Sequence, residues 1–583
     1  MTMMRSQLTL TATAAILFAL SSGISAAVPS FQPGTYEGVG TGRNGEVKVK
    51  VTVSKNRIES IDVVSHKESA GLSDAPIKKL PKTIVEKQSL AVDAYSGATL
   101  SSKGVLGAVQ DALKKATPDI KPLLAAAVAA PAIKEKDQNV DVLVVGSGVA
   151  GMMAGLAAAE QGANVLILEK QGMLGAGNSM TISTGIAGGG SALINKLGIK
   201  NHSAEEYADF LIKQARDRKI PVDEKNVRTY ALRSGEVIDY LMKLGVPFTK
   251  FETFNWFHLT EDGSAPGPHI IKALSAKLEA DKIPYKLNNR VTNLIVTDGR
   301  VTGAEVDSKT GSYKVHAKAV VLATGGYAAN AKLVAKYAPE WINRPTTGSI
   351  SNTGDGLMMA EKIGAQKATM DAYKTNHLCH PLNATDGISF TAIKDYAVLV
   401  NHEGVRFMDE SIPSPNEKSR IMMKQTQHEA YAIIDQSVMD KLRLMRNYAD
   451  AGYFVKADTL EGLADQIKVD KTAFVKTMKN YIDMVKQGKD SEFNRKLIHG
   501  FGKAPFYASL VTPAMQATSG GIKTDENAQT YYENGKPIDG LYAAGGVSGH
   551  GTYSNEVGWA AVRDLAFGRI AGTNAAKFAK TQK

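Results

Sequence analysis

The pattern of apolar and polar positions changes character along the chain. Between residues 45 and 66, GEVKVKVTVSKNRIESIDVVSH alternates apolar and polar positions over two runs separated by a short polar turn. A period of two predicts two strands that each bury one face. From Val140 the pattern becomes VDVLVVG, a continuous apolar run that predicts a strand buried on both faces of a parallel sheet. We therefore expect a small α+β unit followed by a larger α/β domain.

The segment that begins near Val140 continues as a glycine-rich turn, a helix and a second strand. In NVDVLVVGSGVAGMMAGLAAAEQGANVLILEK, the glycines Gly146, Gly148 and Gly151 form the pattern GxGxxG. The first permits a tight turn, the second lets a pyrophosphate approach the backbone, and the third lets helix and strand pack closely. The second strand ends in Glu169, which is placed to accept a ribose hydroxyl. These features predict a dinucleotide site with its phosphates at the helix N-terminus.

The residues between the two patterns predict a linker. The small unit occupies residues 31–117, and residues 118–139 are rich in Ala and Pro and then charged, without a strong period. Such a composition favours a partly helical linker. At 583 residues the chain exceeds what one hydrophobic core usually supports, so two to four domains are expected.

The N-terminal residues have the layout of an export signal. Arg5 precedes an apolar run over residues 8–20, and small residues follow near Ala26. The run is shorter than the roughly 20 residues that span a bilayer. We therefore favour a cleaved signal peptide over residues 1–27 rather than a membrane anchor. This predicts a periplasmic protein with no membrane span in its mature form.

The composition of the chain limits the partners and the redox groups that the protein can use. The chain is 43% hydrophobic and 22% charged, as in a folded protein, and its net charge is +11. Basic and acidic residues are interleaved, so we expect no nucleic-acid partner and relate the positive charge to anionic substrates or acidic protein partners. Cys379 is the only cysteine, which excludes an internal disulfide, a Cys-x-x-Cys-His haem site and an iron–sulfur set. We expect no metal site, so redox chemistry requires an organic cofactor.

Several later segments resemble one family of flavoproteins. They are MLGAGNSMTISTGIAGGGS, AVVLATGGYAAN, NTGDG, NHEGVRFMDE, TSGGIKTD and LYAAGG. Together they resemble the flavoprotein subunits of fumarate reductases and succinate dehydrogenases. The resemblance implies non-covalent FAD in a Rossmann-like domain of residues 140–380 and 506–583, split by a capping domain of residues 381–505. Substrate then lies between cap and flavin, where closure excludes water.

The resemblance also assigns residues to the FAD. They come from the glycine fingerprint, from the end of the second strand and from the small-residue segments. We expect the cofactor to contact Gly146, Gly148, Ala150, Gly151, Glu169, Asn178, Ser179, Gly185, Ala323, Thr324, Gly325, Asp355 and Gly545.

The same family implies hydride transfer from the flavin to an activated alkene, followed by protonation of the adjacent carbon. Arg406, in N-x-x-G-x-R-F, resembles a family position that binds the substrate carboxylate and donates the proton. His380 is the candidate to polarise the substrate carbonyl. Lys394 stands where the family has a Thr-Glu-x-x-Arg relay, and Tyr373 is a candidate to face an apolar tail. The weaker candidates are His377, His550, Tyr553 and Trp559.

The chain departs from the fumarate reductase pattern in two places. The family's histidine pair before T-x-G-G is absent from QATSGG, and its Asn-Arg-Leu-Gly-Gly is replaced by Asn-Glu-Val-Gly-Trp, which contains Glu556. This acid repels a second carboxylate, and burying an unpaired anion is costly. We therefore expect a substrate with one carboxylate, of the acrylate or cinnamate type, or a neutral enone, rather than fumarate.

The small unit resembles the FMN-binding domain of sodium-translocating quinone reductases and urocanate reductases. The family pattern Asp-x-x-Ser/Thr-Gly-Ala-Thr-x-Ser/Thr is matched by DAYSGATLS, which begins at Asp93. The resemblance implies FMN joined through a phosphoester to Ser101 by a separate flavin transferase, with Thr99 and Ser102 as the alternatives. The bound phosphate is expected to face backbone N–H groups among the small residues.

Three functions follow from these patterns. The first is a periplasmic reductase in which electrons pass from a cytochrome or quinol-linked donor to FMN, to FAD and to the C=C bond of a small-molecule alkene, with urocanate or fumarate as alternative substrates. The second is a flavin dehydrogenase that runs the other way, as in ketosteroid dehydrogenases. The third is a flavin electron carrier without substrate chemistry. The FMN motif favours the first, because no second nucleotide fingerprint is visible for NAD(P)H.

Overall fold

The chain divides between residues 134 and 135 into two units. The structure, a computed structural model, describes residues 29–42, 45–68, 73–95, 98–124, 135–182, 185–381, 389–496, 499–549 and 560–582. The division lies inside the predicted linker. The first strand of the second unit begins at Gln138, so the last two residues of that linker are already part of the sheet.

The first unit is a three-stranded antiparallel meander with helices. Its strands are β1 (Gly34–Thr41), β2 (Glu46–Ser54) and β3 (Arg57–His66), and its helices are α1 (Asp74–Lys78), α2 (Leu80–Lys87), α3 (Thr99–Ala116) and α4 (Lys121–Leu124). The alternating pattern predicted β2 and β3 correctly. It did not predict β1, because five of that strand's eight residues are exposed and three of its residues are glycine, which weakens the alternation.

Glycines in β1 allow α3 to pack directly on the strand. A Cβ atom on Gly38 would lie 2.0 Å from the carbonyl oxygen of Ala108, and one on Gly40 would lie 2.1 Å from that of Gly104. A side chain at either position would force the helix away from the sheet. This contact closes an apolar core over Val47, Val49, Val51, Ile58, Ile84, Val105, Val109 and Leu113, all of them without exposed surface.

The second unit contains nineteen strands among its described residues. They are β4 (Gln138–Val145), β5 (Val165–Glu169), β6 (Ile186–Ala187), β7 (Phe248–Glu252), β8 (Phe257–Thr260), β9 (Tyr285–Leu287), β10 (Asn289–Thr297), β11 (Arg300–Ser308), β12 (Gly311–Leu322), β13 (Lys367–Ala368), β14 (Tyr373–Cys379), β15 (Val398–Val400), β16 (Ala430–Asp435), β17 (Val455–Ala457), β18 (Phe506–Thr518), β19 (Gly521–Lys523), β20 (Gln529–Tyr531), β21 (Pro537–Ala543) and β22 (Ser548–Gly549).

The helices of the second unit surround these strands. They are α5 (Val149–Glu160), α6 (Ala192–Lys196), α7 (Ala204–Asp217), α8 (Glu224–Ala231), α9 (Ser234–Lys243), α10 (Pro266–Ala280), α11 (Ala331–Tyr337), α12 (Asp355–Lys362), α13 (Pro415–Met422), α14 (Gln436–Lys441), α15 (Arg443–Asp450), α16 (Leu460–Ile467), α17 (Lys471–Gln487) and α18 (Ala560–Thr581). None of the helices in the described part of the chain combines the length and apolar character needed to cross a bilayer.

The largest sheet is the expected Rossmann-like sheet. Parallel pairing runs in the order β21-β12-β4-β5-β9, and β10, β11 and β20 add antiparallel pairing at one side. Helix α18 packs against α5 above this sheet. The packing needs Gly568 and Gly572, because a Cβ on the second would lie 2.0 Å from the carbonyl oxygen of Ala154. The C-terminal helix is therefore part of the nucleotide-binding core.

A second sheet joins the two predicted domains of this unit. Its order is β14-β18-β16-β15, with β17 also on β18. The long strand β18 pairs through its first half with β16 and β17 and through its second half with β14. Strands β15, β16 and β17 lie in the segment predicted as the cap, whereas β14 and β18 lie outside it. This sheet places the inner ends of β14 and β18 beside the predicted nucleotide site.

Candidate functional site

The turn after β4 has the geometry that the glycine pattern predicts. Gly146 has φ = 102°, and a Cβ there would lie 2.4 Å from the carbonyl oxygen of Ala323. A Cβ on Gly151 would lie 1.9 Å from the carbonyl oxygen of Gly146. At Gly148 the nearest atom to a Cβ is the hydroxyl of Ser179 at 3.3 Å, so the protein alone does not require glycine there. The N-terminus of α5 is therefore open to a ligand at Gly148.

Glu169, at the end of β5, holds this turn in place. Its Oε2 accepts the backbone N–H of Ser147 at 2.9 Å and the Ser147 hydroxyl at 2.7 Å. Its Oε1 accepts the backbone N–H of Gln171 at 2.8 Å. A carboxylate oxygen accepts more than one hydrogen bond, so Oε1 retains capacity for a ribose hydroxyl. The residue thus has a structural role in addition to the predicted ligand role.

Asp355 at the start of α12 organises two cations on the same wall. Lys170 Nζ lies 2.9 Å from its Oδ2, and Arg290 lies 3.0 Å from its Oδ1. Burial raises the pKa of Asp355. The hydrogen bonds from Lys170 and Arg290 and the charge of Lys170 outweigh burial, so the pKa lies below its usual value. Asp355 therefore stays ionised and fixes Lys170, which joins it to the end of β5.

The segment after β12 carries a buried hydroxyl that needs a partner. Thr324 Oγ1 is buried and has no hydrogen-bond partner among the described residues, and Thr324 lines the same cavity as the glycine turn. Gly325 and Gly545, which also line it, have φ angles of 73° and 79°. Buried hydroxyl groups are nearly always hydrogen-bonded, so the orphaned oxygen points to a ligand.

These groups surround one cavity. It encloses about 1580 Å³, part of which is open to solvent. Twelve of the thirteen residues predicted to contact FAD line its wall, and Gly151 instead packs beneath the turn. Asn178 donates its amide to the carbonyl oxygen of Gln516 at 3.1 Å, which ties this wall to β18. The glycine turn, the open helix N-terminus and the orphaned hydroxyl together fit a flavin dinucleotide.

Comparison with known proteins agrees with this geometry. The FAD binding domain family matches residues 141–558, which contain the glycine turn and most of the cavity wall. The chain belongs to that family. The FMN-binding domain family matches residues 42–114, within the first unit of this flavoprotein. Both flavin-binding domains predicted from the sequence are therefore confirmed.

The relatives of this flavoprotein are flavin oxidoreductases that act on C=C bonds. A probable fumarate reductase of Shewanella frigidimarina is 35% identical over 76% of each chain. Urocanate reductase of Eggerthella lenta is 31% identical and covers 93% of this chain and 92% of its own. NADH:acrylate oxidoreductase of Vibrio harveyi is 29% identical over 94% of this chain, which spans only 61% of that protein.

Solved structures confirm the predicted fold class. The open conformation of a flavocytochrome c3 fumarate reductase superposes with a TM-score of 0.68 at 33% identity, and covers 76% of this chain and 79% of its own. A 3-ketosteroid-Δ4-(5α)-dehydrogenase from Rhodococcus jostii RHA1 superposes with a TM-score of 0.56 at 25% identity, and covers 77% and 99%. The flavoprotein thus has the expected Rossmann-like fold with an added N-terminal unit.

Arg406 is buried and ion-paired within the segment predicted as the cap. Its side chain is 1% exposed, and its guanidinium donates to Glu410 at 2.7 Å and to Asp490 at 2.7 Å. The rings of Tyr481 and Phe493 each lie 5.0 Å from it. It is not among the residues that line the flavin cavity. Its Nη1 atom is buried without a hydrogen-bond partner among the described residues, so the predicted substrate role of Arg406 stays a prediction.

His380 and Tyr373 also make contacts within the protein rather than in the cavity wall. The His380 ring packs edge-on against Tyr453, with ring centroids 5.2 Å apart, and burial lowers its pKa. The Tyr373 hydroxyl donates to Glu340 at 2.5 Å, and its ring packs edge-on against Trp341. Neither residue lines the cavity. Their geometry therefore favours packing roles.

The cation at the inner end of the cavity is Lys374, on β14. It lines the wall together with Gln516 and Thr518 of the neighbouring strand β18. Burial and the nearby charge of Lys394 lower the pKa of Lys374 to about 8. The predicted residue Lys394 is itself exposed, but its charge reaches this end of the cavity. Lys374 was not predicted from the sequence, because its strand YKTNHLC also contains threonine, asparagine and histidine and so gives no pattern that marks the lysine.

A further charged pair on the wall was also missed. Arg563, 1% exposed at the start of α18, donates to Asp564 at 2.6 Å, and both residues line the cavity. Burial raises the pKa of Asp564 even though Arg563 opposes the effect. The remaining candidates, His550, Tyr553, Glu556 and Trp559, lie outside the described residues, as does the predicted signal peptide. Their predicted roles stay predictions.

The hydroxyl groups predicted to carry FMN lie in the first unit, at the start of α3. Ser101 is 2% exposed and donates its hydroxyl hydrogen to a carboxylate oxygen of Glu68. Ser102 has no exposed surface and donates to the carbonyl oxygen of Ala98 at 3.0 Å. Thr99 is the first residue of α3, and its side chain lies outside the described part of the chain. A phosphoester on Ser101 would place an anion beside a buried carboxylate, which weighs against Ser101.

Proposed function

We propose that this flavoprotein reduces the C=C bond of an α,β-unsaturated monocarboxylate. The observation that carries the proposal is the position of Lys374, a cation on the wall of the flavin cavity where β14 meets β18. A carboxylate-bearing alkene needs a cation near the reacting carbons, and Lys374 supplies one at that end of the cavity.

Bound FAD in its reduced form supplies a hydride to the β-carbon of such an alkene. Lys374 then holds a proton on Nζ for the adjacent carbon, in place of Arg406. A pKa near 8 leaves the amine protonated at neutral pH and able to release its proton, whereas a guanidinium paired with two carboxylates holds its protons too tightly. Gln516 and Thr518, beside Lys374 on the cavity wall, are placed to orient the substrate.

Two observations support a monocarboxylate substrate, namely the charge of the residues expected near the substrate and the names of the relatives. The histidine pair typical of fumarate reductases is replaced near Gln516, and Glu556 stands in the segment where they carry an arginine. Two of the relatives are named for urocanate and acrylate, which are both monocarboxylates, and the urocanate reductase matches nearly the whole of both chains. Urocanate is therefore the leading alternative to a simple acrylate or cinnamate.

Electrons are proposed to enter through FMN in the first unit. We propose a phosphoester on Thr99, since Ser101 and Ser102 are buried and already hydrogen-bonded within the unit. Attachment would require a flavin transferase, and a covalent link prevents loss of FMN after export to the periplasm by the predicted signal peptide. A periplasmic cytochrome or a quinol-linked protein is the proposed electron donor.

The proposal is tested by anaerobic turnover with reduced methyl viologen and a panel of acrylate, cinnamate, urocanate, fumarate and a neutral enone. We expect oxidation of the dye with at least one monocarboxylate and a rate at least tenfold lower with fumarate. Lys374→Met should retain FAD but lose at least a hundredfold in turnover, whereas Lys441→Met, at an exposed lysine of α14, should behave as the wild type. Oxidation by none of the alkenes would refute the proposal.

A further inference from the structure

A second lysine lies buried behind the cavity wall. Lys418, on α13, is 5% exposed. Its amine donates to the carbonyl oxygen of Glu410 at 3.3 Å, and among the described residues no carboxylate forms an ion pair with it. Buried ammonium groups are otherwise paired with acids, because an isolated buried charge is strongly destabilising. This lysine is therefore placed to receive an anion.

His377 lies in the same region, on β14. It is 5% exposed, and its Nδ1 atom is buried without a hydrogen-bond partner in the part of the chain that the structure describes. Burial and the charges of Lys418 and Lys394 hold the pKa of His377 well below its usual value, so the ring is neutral. A neutral imidazole with an unsatisfied nitrogen is a second sign that a polar ligand belongs here.

The helix that carries Lys418 is fixed to the strand that carries Lys374. The backbone N–H of Thr375 donates to Asn416 Oδ1 at 2.8 Å, and the Thr375 hydroxyl donates to Ser419 at 2.9 Å. Asn416 and Ser419 lie on either side of Lys418 in α13. Helix and strand therefore form one rigid wall, which is the arrangement that a preorganised binding site needs.

The charges around Lys418 do not neutralise it. Burial, with the cations Lys394 and Arg495, lowers the pKa of Lys418 to about 8, although the acids Asp395 and Glu410 act in the opposite direction. Glu410 is already bound to Arg406 and Arg495. The region thus holds several cations around one unsatisfied imidazole, and an anion would stabilise all of them.

We propose that Lys418 and His377 form the subsite that binds the carboxylate of the substrate, behind the proton-holding Lys374. The proposal rests on the function proposed above and adds the group that recognises the anion. The carboxylate accepts a hydrogen bond from Lys418 Nζ and another from the His377 ring. The alkene then extends toward Lys374 and the flavin cavity.

The test uses propionate, a saturated monocarboxylate that cannot be reduced, and follows its binding to the oxidised holoprotein through the flavin absorption spectrum. We expect Lys418→Met to weaken propionate binding at least tenfold, and Lys418→Arg to keep it within about threefold. Lys424→Met, which changes an exposed lysine just after α13, should leave it unchanged. Wild-type binding should weaken as the pH rises above 8. Unaltered binding by Lys418→Met would overturn the proposal.

A second measurement needs no flavin and no turnover. Since Lys418 is buried and no carboxylate among the described residues forms an ion pair with it, Lys418→Met should raise the urea midpoint of unfolding of the apoprotein, and the difference from the wild type should shrink between pH 8 and pH 10 as the wild-type lysine loses its proton. A lower midpoint for Lys418→Met would instead show a purely structural lysine. If the wild type reduces no alkene but still binds propionate through Lys418, the proposed reaction fails and this subsite stands.

Discussion

Arg406 and Asp490 face each other inside the cap segment, with the guanidinium 2.7 Å from the carboxylate and neither side chain more than 1% exposed. The two residues are 84 positions apart in the chain and join the segment after β15 to the segment after α17. The motif that contains Arg406 resembles a substrate-binding element, and in the structure its arginine also joins two distant parts of the predicted cap segment. The first prediction follows from this contact.

Replacing Arg406 by methionine should destabilise the protein rather than remove a substrate contact. It leaves Asp490 buried without its ion-pair partner and Glu410 with Arg495 alone, and breaking a buried ion pair in this way typically costs about 3–5 kcal/mol of the free energy of unfolding. Urea unfolding of the second unit measures this. Lys479→Met breaks only the exposed pair with Glu461 and should cost less than about 1 kcal/mol. If Arg406→Met keeps full stability and loses turnover, the catalytic interpretation of Arg406 is restored.

The ion pair between Arg406 and Asp490 also predicts that the protein loses stability in acid. Burial raises the pKa of Asp490, but hydrogen bonds from Arg406 and from the backbone lower it to about 2, below the usual 3.8. A carboxylate whose pKa is lowered in the folded state stabilises the protein at pH values above its unfolded-state pKa. This stabilisation is lost as the pH falls toward the folded-state pKa. We expect the unfolding midpoint to fall between pH 4 and pH 2, and the fall to be smaller in Asp490→Asn. Equal falls in both proteins would contradict the assignment.

In the glycine turn, we expect Gly151 to be needed for folding and Gly148 to be needed for binding of FAD. Gly148→Ala introduces a methyl group whose nearest protein atom lies 3.3 Å away, whereas Gly151→Ala places one 1.9 Å from a carbonyl oxygen. We expect Gly148→Ala to fold with little loss of stability but to bind FAD at least tenfold more weakly, because the methyl group faces the phosphates. Gly151→Ala should lose both stability and FAD. Titration of apoprotein with FAD and urea unfolding distinguish the two effects.

The mass of the mature chain tests whether FMN is covalently attached and to which residue. The mature wild-type chain should exceed its polypeptide mass by one FMN phosphoester, Thr99→Ala should lose the increment, and Ser101→Ala should keep it. Ser101→Ala also leaves Glu68 without its hydroxyl donor, which should cost about 1–3 kcal/mol in the first unit. Loss of the mass increment in Ser101→Ala alone would return the attachment to Ser101.

The sequence predicted those parts of the molecule that local patterns encode. Gly146 and Gly151 are required by contacts within one strand, turn and helix, and the motif alone located them. Arg406 shows the limit of this reasoning, because one of its acid partners comes from a distant segment and nothing in N-x-x-G-x-R-F reveals Asp490. Lys418 was missed for a related reason. It lies in a polar helix sequence, PNEKSRIM, whose burial results only from packing against β14.

The most direct test of the account is a count of alkenes reduced by the fully reduced holoprotein in the absence of any electron donor. Each flavin stores two electrons and each alkene consumes two, so a chain with FMN and FAD should reduce two equivalents of its monocarboxylate. Thr99→Ala, which retains only FAD, should reduce one. Two equivalents from the wild type and one from the variant are the predicted result. A reduced wild-type protein that holds both flavins and reduces no alkene would contradict the account.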